Sequence, residues 1–380
     1  MSCTECLKKI ANISKKMKLN KKIDDKLLRK LYNEQLLVVE NMRKFKIKIN
    51  KTIVPYIKDN ESDLFHHVPV KIKNSIEINT TYILVYTTGI NNCTIKLNFY
   101  ITDNDCINLG KFNKKINNII KLVYFLLTYS NSKPNEINLH LYLTDHVKQY
   151  DNNVYLNQMN CNTAMTYSCQ TNIEVLIYRS EEYFKVLIHE LFHALCLDFS
   201  SFPCEILKKK IAELFPIKQN NLPYEAYAEF WANIINCLFF AYSHTKNYKD
   251  FKYLMNKCLH NEVIFSVFQM TKILNNMGLS YQQIMEKPNT YNEYTNVFSY
   301  YILKTILLYN VNDFMNWCNM NNLNLFEFRK TDDKIEKLAD FIESKYKEKK
   351  FLNFIHEIKN KNIADDDVLS KTLRMTIHDF

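Results

Sequence analysis

The order of elements predicts an α+β protein. Strand-like runs are confined to the first half of the chain, and helical periodicity fills the second. A run of strands followed by a run of helices is the α+β signature, whereas α/β folds alternate. Three observations carry this. Four segments between residues 82 and 178 read as strands, helical spacing begins at Glu181, and no β-run of comparable strength returns after it. The 380 residues are 47% hydrophobic and 24% charged, the composition of a chain that can bury a core.

Taken in order, residues 1–60 are lysine-rich, and Leu27, Leu28, Leu31, Leu36, Leu37 and Val38 recur near a 3.6-residue period up to Pro55. That spacing predicts an N-terminal helical accessory region over 1–60. Tyr82–Tyr86 and Thr94–Ile101 then form a predicted hairpin, with Gly89, Asn91 and Asn92 as the turn between them. Ile116–Tyr129 reads as a buried helix, Ile137–Leu143 alternates as a strand, residues 150–170 are polar and irregular, and Ile173–Tyr178 is a further strand. Helices are expected over 181–197, 204–214, 223–244, 247–275, 291–310, 332–348 and 351–361. These elements divide the chain into 1–60, an α+β region over 61–197, and a helical region over 198–380.

Lys+Arg is 50 against 40 Asp+Glu, a net charge of +10. Only five of those cations are arginine, and glycine occurs three times, so the composition points to an AT-rich coding sequence, as in a large DNA virus or an intracellular organism. Arginine is the side chain that reads phosphates and guanines bidentately, and its scarcity argues against a dedicated nucleic-acid reader. No run reaches the roughly 18 apolar residues of a membrane span. The N-terminus has no apolar signal region, so an intracellular, cytoplasmic protein is expected. Its 11 cysteines are then expected as reduced thiols, Cys196 as a buried one. Cys3 and Cys6 form a lone CxxC with no second pair to complete a metal site.

Chemistry concentrates at Val186–Cys196, VLIHELFHALC, which contains the HExxH sequence His189-Glu190-Leu191-Phe192-His193. Histidines at i and i+4 share one helical face, so both imidazoles can reach a single metal ion. Glu190 is turned about 100° from His189, which places its carboxylate beside the metal, where it can take a proton from water. The bland alternative is a core helix with two hydrogen-bonded histidines. Burying two histidines and a glutamate among Val186, Leu187, Ile188, Leu191 and Phe192 is costly unless each is paired or metal-bound.

A third ligand must come from elsewhere. The continuation with glycine and then a third histidine is absent, because Cys196 and Phe199 occupy those places. Downstream, Pro223–Asn233 reads PYEAYAEFWAN. Proline suits a first helical turn, and Glu225 and Glu229 lie one turn apart on one face. Two such carboxylates repel unless a cation or a division of roles separates them. The alternative is a solvated polar face.

HELFH followed by EAYAE resembles the zinc metallopeptidases with a glutamate third ligand, the gluzincins. The resemblance covers about residues 80–310 and is carried by these two motifs. It implies a zincin-like fold, with a small mixed sheet, a backing helix and an active-site helix ahead of a mainly helical C-terminal half. It implies Zn2+ held by His189, His193 and Glu225, with Glu229 hydrogen-bonded to a ligating histidine. Family members often have aspartate at the position of Glu229. The resemblance also implies Glu190 as general base in peptide hydrolysis, a tyrosine such as Tyr300 (or its neighbour Tyr301) on the oxyanion, and Ile173–Tyr178 as the edge strand that binds an extended peptide or protein substrate. Thr163–Thr166 lacks the glutamate of the family's amino-terminus-binding segment, so an endopeptidase is preferred. Two other classes keep the same residues: a catalytically silent zincin-fold binding module, and a basic nucleic-acid-associated protein with an accidental motif.

Overall fold

The structure, a computed structural model, describes residues 3–17, 22–44, 48–58, 62–150, 155–218, 221–286, 290–360 and 368–380. It is a mixed α+β protein, as the order of elements predicts. Its contacts group into two units, one of residues 30–147 and 163–197, the other of residues 1–29, 148–162 and 198–380. Among the described residues, no helix is long and apolar enough to cross a membrane.

The first unit holds one six-stranded sheet. Its strands are β1 (Asn50–Pro55), β2 (Tyr82–Ile90), β3 (Cys93–Ile101), β4 (Glu136–Thr144), β5 (Ala164–Thr166) and β6 (Asn172–Arg179), in the order β1-β2-β3-β4-β6-β5. β1, β2 and β3 are antiparallel neighbours, β3-β4 and β4-β6 are parallel, and β5 closes the far edge antiparallel to β6. Burial alternates along β3, with Ile95, Leu97 and Phe99 inward, as a sheet covered on one face requires. The parallel β3-β4 pair needs a long crossover, and the Asn113–Tyr129 helix lies on it, burying Ile119, Ile120, Leu122, Val123, Phe125 and Leu126.

Residues 50–55, inside the stretch read as helical, form β1, because consecutive Thr52, Ile53 and Val54 are β-branched and pair with β2. Gly89 lies within β2 opposite Thr94, and the turn is made by Asn91 and Asn92 alone, both at positive φ. A two-residue hairpin turn needs that conformation, and asparagine tolerates it. Ile173–Tyr178 is not the edge strand: β5, within the segment read as irregular, lies outside it, and β6 is interior. Three residues are too short a run to show alternation, which is why β5 left no pattern. The Val70–Asn79 helix was also unsignalled.

The second unit is helical, with its longest elements at Pro223–Ser243 and Tyr248–Asn276. Its core is aromatic. Trp231 is fully buried against Phe230, Tyr227 and Phe326, and the Tyr227 hydroxyl donates to the Phe326 carbonyl at 2.7 Å while accepting from Asn322. The expected 291–310 helix begins late. Phe298–Leu303 is a π-helical turn that runs into the Lys304–Tyr309 helix, and residues 291–296 approach it as an irregular segment. The Val311–Asn321 helix was not foreseen. The segment 372–378 threads through this core. Gln269 donates to the carbonyls of Thr372 and Arg374, Tyr301 to that of Leu373, and Asn233 to that of Met375.

Candidate metal centre

The HExxH motif lies on the Tyr183–Ala194 helix, every residue of which is buried. Its apolar side chains explain the placement: a helix hydrophobic on most sides, with no solvated polar face, sits inside. It packs on β6 and β5 of its own unit. The helix ends in a Schellman arrangement. Leu197 N–H donates to the Phe192 carbonyl at 2.9 Å and Cys196 N–H to that of His193 at 3.1 Å, with Cys196 at φ 57°. Glycine is the usual residue at such a position, and this chain uses cysteine there.

Cys196 is not the reduced thiol expected from sequence. It forms a disulfide with Cys169, across a Cα–Cα distance of 5.0 Å, inside the usual range for such bonds. The expectation rested on compartment alone, and a separation of 27 residues carries no pairing signal in an 11-cysteine chain. Cys169 N–H also donates to the His193 carbonyl at 3.2 Å, which ties the chain ahead of β6 to the end of the motif helix. Cys6 is buried, and the side chain of Cys3, the other half of the CxxC, lies outside the described residues.

His189 and His193 are each 6% exposed, and their Nε2 atoms face one another at 3.0 Å. The rings stand edge-on, 82° between planes. Two zinc–nitrogen bonds of about 2.0–2.1 Å at a tetrahedral angle set nitrogens about 3.3 Å apart, so the pair already has close to the spacing a shared ion needs. Glu190, between them in sequence, is 8% exposed.

Glu225 and Glu229 lie in the first two turns of the Pro223–Ser243 helix, opened by Pro223 at its first position. Glu225 is half-buried and Glu229 is 1% exposed, so the solvated-face alternative does not describe this pair. Ligand atoms of His189, His193 and Glu225 lie within 4.8 Å of one another. Two nitrogens and a carboxylate are a donor set that could hold a metal ion, and they suit zinc.

Of the two tyrosines, Tyr301 is core: 1% exposed, its hydroxyl donates to the Leu373 carbonyl at 2.6 Å. Tyr300 is half-buried in the π-helical turn. His140, assigned no role from sequence, is part of the sheet's own hydrogen bonding, 2.8 Å from the Tyr100 hydroxyl.

Two residues escaped the sequence reading. Asn296 Nδ2 donates to Glu225 Oε1 at 3.4 Å. Glu293 Oε2 accepts the Phe298 N–H and the Tyr291 hydroxyl, both at 2.6 Å. Nothing in TYNEYTN marks either, because each acts through a contact distant in sequence or through a turn without periodicity. Burial pushes the Glu293 carboxyl up to about 7 against those hydrogen bonds, which favour its ionised form. The folded chain therefore binds this proton more tightly than the unfolded chain does. Stability from this group is present below the ordinary glutamate range and declines as pH rises from about 4.5 through 7. Glu293→Gln keeps an acceptor and removes the charge. Its melting temperature relative to wild type is expected to rise between pH 5 and pH 8 in thermal scans; a constant difference would contradict the assignment.

Compared with family models, curated proteins and solved structures, the chain matches none.

Proposed function

We propose that this protein is a zinc-dependent metallopeptidase of the gluzincin type, with a zincin-like fold and a peptide or protein substrate. The observation that carries the reading is the convergence of His189, His193 and Glu225 within 4.8 Å. The three are supplied by two segments 32 residues apart, in the order and spacing the resemblance implies. His189, His193 and Glu225 would hold the ion. When bound, zinc lowers the pKa of water and polarises a carbonyl.

The remaining steps belong to this chain's residues. Glu190, on the same buried helix but turned away from the ligand face, accepts the proton of the attacking water and delivers it to the leaving amine. Its poor solvent access keeps that carboxylate from being satisfied by bulk water. Glu229, buried one turn beyond Glu225, accepts the second N–H of a ligating imidazole and fixes the ring. Tyr300 donates its hydroxyl to the developing oxyanion. The short strand β5, the edge strand beside β6, would take an extended peptide as a further strand of the sheet.

Removal and return of metal test the reading. Cleavage of a fluorogenic peptide library by the purified chain is expected to stop on chelation and to recover with about one equivalent of zinc. Hydrolysis that survives exhaustive chelation would exclude the proposal.

A further inference from the structure

We propose that Asn296 is a positioning residue for the metal site: it orients the Glu225 carboxylate, and the segment 291–297 is built to deliver it. The inference rests on the metal reading above and adds to it a residue that neither motif contains. A carboxylate that ligates through one oxygen can still rotate about its terminal torsion, which is broad. A donor on the other oxygen removes that freedom, and such outer partners govern metal affinity nearly as much as the ligands themselves. Asn296 Nδ2, 3.4 Å from Glu225 Oε1, is placed to do this. The distance is long for a hydrogen bond, and such contacts tighten when a site is loaded.

The placement is not incidental to a loose loop. Three consecutive residues each direct a donor at a different neighbour. Tyr294 N–H reaches the Leu156 carbonyl at 3.0 Å, the Thr295 hydroxyl reaches Asn162 Oδ1 at 2.9 Å, and Asn296 reaches Glu225. The far end is pinned by Glu293, whose Oε2 joins the Tyr291 hydroxyl to the first N–H of the π-helical turn. The segment thus has fixed points on both sides of Asn296, together with an edge-on contact of the Tyr155 and Tyr294 rings at 5.8 Å. This also explains why the expected helix starts late: residues 291–295 are committed to these contacts, and the helical ladder opens where the Asn296 carbonyl accepts the Tyr300 N–H at 3.0 Å.

The test measures zinc affinity by competition with a chromophoric chelator, with no reference to catalysis, on wild type, Asn296→Ala, Glu293→Ala and Glu293→Gln. Asn296→Ala is expected to weaken zinc binding about 10- to 100-fold, with the metal-free melting temperature close to wild type. Glu293→Ala, which frees the segment, is expected to weaken zinc in the same direction, and Glu293→Gln, which keeps the acceptor, to restore it. Cobalt substituted for zinc should show a changed visible spectrum in Asn296→Ala and the wild-type spectrum in Glu293→Gln. If wild type binds zinc and Asn296→Ala binds it equally, the positioning role is overturned while the metal site stands. If the metal-free Asn296→Ala chain is destabilised and its zinc affinity unchanged, Asn296 is structural and the inference fails. If wild type binds no zinc, the metal reading itself falls, and this inference with it.

Discussion

Glu190→Gln is expected to retain one zinc per chain and to lose peptide hydrolysis by about two to four orders of magnitude. The variant keeps the size and the buried position of a side chain that is 8% exposed, so packing of the motif helix is unchanged. Glutamine cannot accept a proton at neutral pH. Each factor of ten corresponds to about 1.4 kcal/mol of barrier, so the expected loss is about 3–5 kcal/mol of transition-state stabilisation with no change in metal binding. The measurement pairs elemental analysis with turnover of the best library peptide. A variant that keeps wild-type turnover removes Glu190 as the base, and one that loses zinc as well makes Glu190 part of the ion's surroundings instead.

The second large effect is His193→Ala. Loss of one of two imidazoles 3.0 Å apart leaves an incomplete donor set, and zinc affinity is expected to fall at least a hundredfold. The consequence extends to stability. A ligand bound only by the folded chain stabilises it by about 2.7 kcal/mol when present at a hundred times its dissociation constant. Wild type is therefore expected to melt at a higher temperature with zinc than with chelator, and His193→Ala at the same temperature in both. A zinc-dependent rise that persists in the variant would show that the ion binds somewhere else.

Most of the candidate site was legible because it is written in local spacing. His189 and His193 at i, i+4, and Glu225 following a helix-opening proline, are patterns that short-range geometry imposes on any helix. The α+β order and the principal strands were legible for the same reason: β3 alternates with period two, and the motif helix is apolar on most sides. What escaped depends on partners far along the chain or on runs too short to be periodic. β5 has three residues, and its identity as the sheet edge comes from pairing with β6. The Cys169–Cys196 bond needs the turn ahead of β6 to return to the end of the motif helix. Asn296 meets Glu225 across 71 residues, and Glu293 stops a helix that the apolar pattern of 291–310 favours.

The central claim is that one zinc ion is held jointly by the HExxH helix and by Glu225. Crystals grown with zinc and measured above and below its absorption edge address that claim without any appeal to activity. The account predicts one strong anomalous peak bonded to His189 Nε2, His193 Nε2 and a carboxylate oxygen of Glu225, at about 2.0–2.2 Å from each. No peak there at saturating zinc, or a peak that Glu225 does not touch, would contradict it.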